Sequence, residues 1–273
     1  MNFVRVNLNG CALALSALSF VALTAQAQTQ AQPQFQTQQR TQPWRFSITP
    51  YLWATDVGVE SKLNDREVLD QTIKVSDLID DIDTIFQLRL EATRGAFGIT
   101  ADAFDVTMSD EKKGATLPAG AGTADLDYEV GLTIVDLAGL YDPFGDHKGL
   151  AFLTGVRVID DRANVDASFQ TSASGPVEKS FDSEETLVDA LIGSRFTQRL
   201  GRHWATQAQA DVSFGGTNYT WSVGPTLAFN FGAMNQFGVN AGYRHMEVHF
   251  KQDGALENKL SLSGFVLGLR TSF

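Results

Sequence analysis

Five arginines constrain this chain more than any other feature. Arg89, Arg157, Arg195, Arg244 and Arg270 each sit inside a segment whose side chains alternate between apolar and polar. That period of two describes a strand with two unlike faces. Phe86, Leu88, Leu90 and Ala92 alternate with Gln87, Arg89, Glu91 and Thr93. Phe152, Val156 and Val158 oppose Gly155 and Arg157, and Val188, Ala190, Ile192 and Phe196 oppose Asp189, Gly193 and Arg195. Phe237, Val239, Ala241 and Tyr243 oppose Asn240, Gly242 and Arg244. Finally, Phe265, Leu267, Leu269, Thr271 and Phe273 oppose a face carrying Gly264, Val266, Gly268, Arg270 and Ser272. An arginine facing lipid at the bilayer midplane costs roughly 2–4 kcal/mol. Five would cost on the order of 10–20 kcal/mol, comparable to the whole net stability of a domain. If the apolar faces meet lipid, the arginines point into a lumen.

Acids share the inward parity: Glu91, Asp102, Asp189 and Asp211. The reading is therefore a lumen charge ladder of nine residues, Arg89, Glu91, Asp102, Arg157, Asp189, Arg195, Asp211, Arg244 and Arg270. Asp136 is a tenth candidate. Its parity also carries Leu126, Tyr128, Val130, Leu132 and Ile134, so either a bulge resets the register near Ile134 or Asp136 sits at the rim. Pro225 is a second irregularity, because it removes a ladder hydrogen bond.

Both chain ends agree with this reading. Residues 1–27 have the form of a secretory signal: Arg5, an apolar run over 11–23, then Ala25-Gln26-Ala27. The run has 13 residues, short of the roughly 20 that a membrane-spanning helix needs. Cys11 precedes the apolar region instead of ending it, which argues against a lipoprotein signal. Cleavage would remove the only cysteine and so exclude disulfide chemistry. Residues 28–43, rich in Gln and Thr, read as a disordered periplasmic lead-in. A net charge of −11 disfavours nucleic acid as a partner. At the other end, a terminal Phe273 closes an alternating strand and is the expected assembly signal.

From 44 to 273 the chain reads as one barrel domain of ten alternating segments: 44–55, 84–94, 96–108, 124–141, 150–168, 186–199, 204–214, 219–231, 237–250 and 258–273. Connections are short and long by turns, as in outer-membrane barrels whose long loops lie outside the cell. Aromatics near segment ends predict two girdles: Trp44, Trp204, Phe231 and Phe273 at the periplasmic side, and Trp53, Tyr219 and Trp221 at the outer side. The fold class is all-β, an antiparallel up-and-down transmembrane β-barrel of about ten strands. A soluble exported sandwich explains the alternation equally well, but not the terminal Phe273 or the aromatic placement.

Two outer stretches are acidic. Residues 56–83 hold nine acids and three bases, and residues 160–185 hold seven acids and two bases. They form a solvated face, with divalent cations or cationic solutes as candidate partners. Asp77, Asp80, Asp81 and Asp83 lack EF-hand spacing. Within the first stretch, Ser76 as a cap, Asp77 and the stripe Leu78, Ile79 and Ile82 predict a short helix over 75–83.

Catalytic motifs are weak. His147 and His203 fall in periplasmic turns. The string from His245 through Glu247 to His249 superficially matches a zinc motif, yet that motif requires a helix. On a strand, i and i+4 stand about 13 Å apart. A rim hydrolase would need His245 or His249 to meet Asp160 or Asp161, which nothing in the sequence enforces. Gly120-Ala121-Gly122 reads as loop, and no cofactor motif is present.

The stretches Pro50-Tyr51-Leu52-Trp53-Ala54 and Val75-Ser76-Asp77-Leu78-Ile79-Asp80 resemble a group of uncharacterised proteobacterial outer-membrane β-barrels. Leu137-Ala138-Gly139-Leu140-Tyr141, Gly242-Tyr243-Arg244, Leu262-Ser263-Gly264 and Leu267-Gly268-Leu269 resemble later strands of that group. The chain is more distantly similar to small barrels of the outer-membrane protein A and W type. Its close, Arg270-Thr271-Ser272-Phe273, departs from the usual aromatic-basic-aromatic ending. The resemblance implies fold and place in the outer membrane of a Gram-negative bacterium, without an activity.

The expected role is an outer-membrane structural or surface-interaction protein with a charge-paired lumen. A narrow porin-like channel is the alternative, and a rim hydrolase a third. Expected partners are outer-membrane lipid, lipopolysaccharide and the barrel-assembly machinery.

Overall fold

The computed structural model describes residues 42–63, 66–78, 82–116, 122–145, 148–171, 174–250 and 256–273. The signal and nearly all of the lead-in lie outside them, as do Ile79, Asp80, Asp81, Gly120, Ala121 and His147. Strands are β1 (Arg45–Leu63), β2 (Arg66–Ile73), β3 (Ile82–Arg94), β4 (Phe97–Thr116), β5 (Gly122–Tyr141) and β6 (Gly149–Thr171). They continue as β7 (Ser174–Arg199), β8 (Trp204–Gly215), β9 (Tyr219–Phe231), β10 (Phe237–His249) and β11 (Leu256–Ser272). One helical turn, α1 (Val75–Leu78), precedes β3. No helix among the described residues is long and apolar enough to cross a membrane.

Each strand pairs antiparallel with its neighbour, and β11 pairs with β1, which closes the sheet into a barrel of ten wall strands. β2 stands outside the wall and pairs with β1 alone. The seam ends on the last residue: Phe273 N–H donates to the Phe46 carbonyl at 3.0 Å, and Phe46 N–H returns a bond to Phe273 at 2.9 Å. Their rings stack 5.9 Å apart.

The burial pattern is inverted relative to a water-soluble domain. Arg157 is fully buried, while Phe265 is 75% exposed. Phe97, Ile99, Leu137, Val188, Leu267 and Leu269 are also more than half exposed, on strands all around the wall. A continuous apolar band of this kind is not left bare to water by a soluble monomer, and a closed ladder is what lets a sheet sit in hydrocarbon. Below the band, rings touch in series: Trp204 with Phe229, Phe229 with Phe231, and Phe231 with Phe237.

At the end that holds Arg45 and Phe273 the connections are tight, as at Gly95, whose φ of +58° suits glycine. The opposite, loop end departs from the sequence reading. Residues 56–83 and 169–185 were expected as long loops, but most of their described residues are strand. β6 and β7 remain in register from Gly149↔Thr197 out to Phe169↔Val177, and β1 and β2 form a hairpin from Val57↔Ile73 to Leu63↔Arg66. Val165, Val177 and Phe181 among the acids keep enough β character for pairing, and strands standing clear of the apolar band tolerate charge on both faces. The helix is shorter than expected. It starts at Val75, so Ser76 lies inside it, and Ile82 and Asp83 already belong to β3.

Wall strands approach most closely at glycines. A Cβ added at Gly264 would lie far inside contact distance of the Ala54 carbonyl oxygen across the β1–β11 seam, whereas one at Gly139 would first meet an atom at 3.7 Å. Gly264→Ala is therefore expected to abolish the heat-modifiable folded band on a gel, and Gly139→Ala to leave it. Equal folding of the two would disprove the tight seam.

Candidate functional site: a layered lumen

Three layers fill the lumen. The first is ionic. Arg89 Nε donates to Asp102 at 2.6 Å, Arg244 Nη1 approaches the same carboxylate at 3.5 Å, and the Tyr51 hydroxyl donates to it at 2.7 Å. Facing them, Arg157 binds Asp136 through two nitrogens, each at 2.7 Å, and reaches Asp211 at 2.8 Å. Ser222 and Gln209 also donate to Asp211, at 2.9 and 3.3 Å. Gln209 in turn accepts from Arg195 at 3.2 Å, and Arg195 pairs with Glu91. These are two clusters rather than one ladder. Their strands alternate strictly, so every one of these side chains falls on the inner face.

Two candidates behave differently from the expectation. Asp189 is buried, but its partners are neutral: Ser213 Oγ at 2.9 Å, Thr217 N–H at 2.9 Å and Thr217 Oγ1 at 2.5 Å. It ties down the β8–β9 turn. Arg270 donates to the Asn230 amide oxygen, and no carboxylate lies within ion-pair distance of it among the described residues. The Asp136 question resolves to neither proposed answer. Pairing on both sides of β5 runs unbroken past it, through Ile134↔Ile159 and Asp136↔Arg157, and Ile134↔Phe104 and Asp136↔Asp102. Asp136 faces inward, and so do Leu132 and Ile134.

Those apolar residues belong to the second layer. Trp53, Phe104, Leu132, Ile134, Ile159, Met246, Val248 and Leu262 form a buried cluster on the loop-end side of the ions. Trp53, expected in the outer girdle, is instead part of this plug and 1% exposed. It shares parity with Thr49 and Tyr51, while Leu52 takes the lipid face. Its ring stands edge-on to Phe104 with centroids 5.4 Å apart, and the Arg244 guanidinium lies 4.8 Å from its centroid. That cation–π contact joins plug to ions. β1 separates from β3 after Pro50↔Leu88, and the Gln87 side chain bridges the split by accepting from Trp53 N–H. Pro225 leaves a comparable break: β9 and β10 pair at Gly242↔Thr226 and resume only at His245↔Val223.

The third layer, toward the termini, is a cavity of about 150 Å³ whose wall includes Ser47, Arg195, Gln207, Asn240 and Arg270.

On the outside of the wall, past the Tyr243–Phe265 ring pair, lies a polar patch. His245 and His249 approach Glu247 at 3.5 and 3.4 Å, and Trp221 Nε1 donates to it at 2.9 Å. His245 Nδ1 meets Ser263 Oγ at 2.5 Å. The acid beside these histidines is thus Glu247, not Asp160 or Asp161. Asp160 accepts from Thr186 at 2.7 Å and pairs with Arg162, on β6. Among the described residues no three His, Cys, Asp or Glu side chains gather as a metal-binding set. Higher still, on the β1–β2 hairpin, Glu60 is held by Lys259 at 2.5 Å and by Lys62. Hydrogen bonds from Lys259 and Lys62 lower its carboxyl to about 2.

No family model and no curated protein matches the chain. Among solved structures it is distantly similar to small outer-membrane barrels. The outer membrane protease OmpT from Escherichia coli shares 10% identity over 84% of this chain and 97% of its own, with a TM-score of 0.43. Ail, the attachment invasion locus protein of Yersinia pestis, shares 10% over 85% and 99%, at 0.32. The Pseudomonas putida toluene transporter TodX shares 10% over 84% and 90%, at 0.34. The barrel itself rests on its own closed ladder of hydrogen bonds.

Arg157→Leu takes the counter-charge from buried Asp211 and half-buried Asp136, so a loss of about 3–5 kcal/mol is expected in urea refolding. Arg244→Leu is also expected to weaken refolding, and Val156→Thr to change little. Equal tolerance of all three would refute the lumen network. Glu60 gives a pH test. A lowered carboxyl contributes stability above its ordinary value of 4.5, and that contribution is lost as pH falls toward about 2. At a surface pair it amounts to about 0.2–1 kcal/mol. Glu60→Gln should unfold slightly more easily than wild type at pH 7 and indistinguishably at pH 2. A difference that persists at pH 2 would exclude the ion pairs as its cause.

Proposed function

We propose that the protein is an integral outer-membrane barrel with a closed lumen, acting as a structural or surface-interaction protein that presents its acidic loop-end strands outside the cell. The observation that carries this reading is the plug: Trp53, Phe104, Ile134, Met246, Val248 and Leu262 are buried together across the lumen. Ion pairs lie directly beneath them, so an ion would meet an apolar layer and then side chains already neutralised. In a ten-stranded barrel, wall side chains are long enough to achieve this.

Placement in the outer membrane follows from the inverted burial combined with the signal-like amino terminus. The same geometry supports the proposed partners. Lipid takes the apolar band. Lipopolysaccharide headgroups take the patch of Tyr219, Trp221, His245 and His249, where amphipathic rings suit an interface. The assembly machinery reads the strand that ends at Phe273. Divalent cations bridge the acidic strands to lipopolysaccharide as diffuse counter-charge.

The channel reading draws on one observation, the cavity that penetrates the lumen from the terminus end. Planar-bilayer conductance in neutral KCl separates the two readings, with a heat-modifiable gel shift proving the protein folded. Folded protein without current steps is expected. Discrete, reproducible steps from wild type would overturn the closed lumen and establish the channel.

A further inference from the structure

We propose that the terminus-end cavity is a binding site for a small oxyanion bearing a carboxylate, phosphate or sulfate group. The cavity extends from Ser47 and Arg270, near the carboxy terminus, to Arg244 beneath the Trp53 plug. It is therefore a blind pocket entered from the terminus side. Its wall carries Arg89, Arg195, Arg244 and Arg270 against a single acid, Glu91. That acid is engaged by Arg195, and Arg89 and Arg244 share Asp102. Four arginines thus face two acids, and Arg270 is the one with no carboxylate within ion-pair distance among the described residues.

Two further facts point to a ligand. Arg270 Nε and Asn240 Oδ1 are buried without a hydrogen-bond partner among the described residues, and both residues line the cavity. They are diagonal cross-strand neighbours, since Asn240 faces Gly268 and Gly238 faces Arg270. A guanidinium edge is a fork shaped for an oxyanion. The amide beside it can turn its NH₂ toward the same oxygens. Thr49 and Gln207 line the same cavity, with a hydroxyl and an amide for a second oxygen. A partly buried arginine with no carboxylate within ion-pair distance is costly, and an anion lowers that cost. The volume, about 150 Å³, is of the size that admits a six-carbon ring, so phosphate or a four-carbon dicarboxylate fits with water. The pocket requires no conduction, and its test is independent of current.

The experiment is titration calorimetry and thermal unfolding of the exported, folded protein in non-ionic detergent. Sodium phosphate, sulfate and succinate are compared at constant ionic strength, balanced with chloride. Saturable heat and a melting temperature that rises with ligand concentration are expected for at least one of the three. Which of the three binds tightest names the source. Arg270→Gln should weaken binding at least tenfold, and Lys259→Gln at the loop end should leave it unchanged. If Arg270→Gln fails to fold, Asn240→Asp serves instead: its carboxylate supplies the counter-charge, so it should fold and lose binding. No saturable signal beyond chloride's would overturn the site. So would undiminished binding in Arg270→Gln or Asn240→Asp.

Discussion

In hydrocarbon, an unpaired backbone N–H or C=O costs several kcal/mol, and the β1–β11 ladder is what keeps this sheet from having two bare edges. It runs from Ser47↔Ser272, beside Phe273, to Leu63↔Leu256 at the far end. The carboxy-terminal residue is part of it, through the two backbone bonds between Phe46 and Phe273. Once the wall is closed, alternation decides the rest. One face of every strand meets lipid and the other meets nine other strands. The arginines have no third place to go.

Inside, charge and apolar surface are mostly segregated along the axis, with Ala138, Leu153 and Leu191 set among the ions. Arg157 between Asp136 and Asp211 replaces the water it has lost with two carboxylates. A buried ion pair adds little net stability over a well-packed apolar alternative. Its effect here is to specify register, because a slip by one residue would turn Arg157 to lipid and Val156 inward. The apolar layer above does what the ions cannot, packing rings and branched chains against one another without directional demands. Arg244 spans the boundary, with its guanidinium between Asp102 and the Trp53 ring.

Inward and outward faces of five strands, β3, β6, β7, β10 and β11, were legible from period two alone, and the arginine cost assigned the sign. Trp53 was misplaced because an aromatic near a strand end carries no parity label by itself. The neighbours Thr49 and Tyr51, on the same face, are the signal that would have placed it inside. The acids of 56–83 and 169–185 were read as loop because charge on both faces erases amphipathic contrast. Strand pairing clear of a membrane does not need that contrast. Tyr51, Gln209 and Ser222, which complete the ion clusters, left no mark in the sequence. A neutral polar residue on an inward face looks the same whether it bonds a carboxylate or faces water.

The sequence by itself determined the barrel and its facing, because period-two alternation and the cost of arginine in lipid are local properties of each strand. Only the tertiary structure decided which charges meet. Arg195 and Glu91 are 104 positions apart, and Arg244 and Asp102 are 142. Such pairs depend on curvature, stagger and closure of the whole wall. The same global geometry left Asp189 with hydroxyl partners, left Arg270 without an acid, and gathered eight apolar side chains from six strands into one plug. No strand carries that information alone.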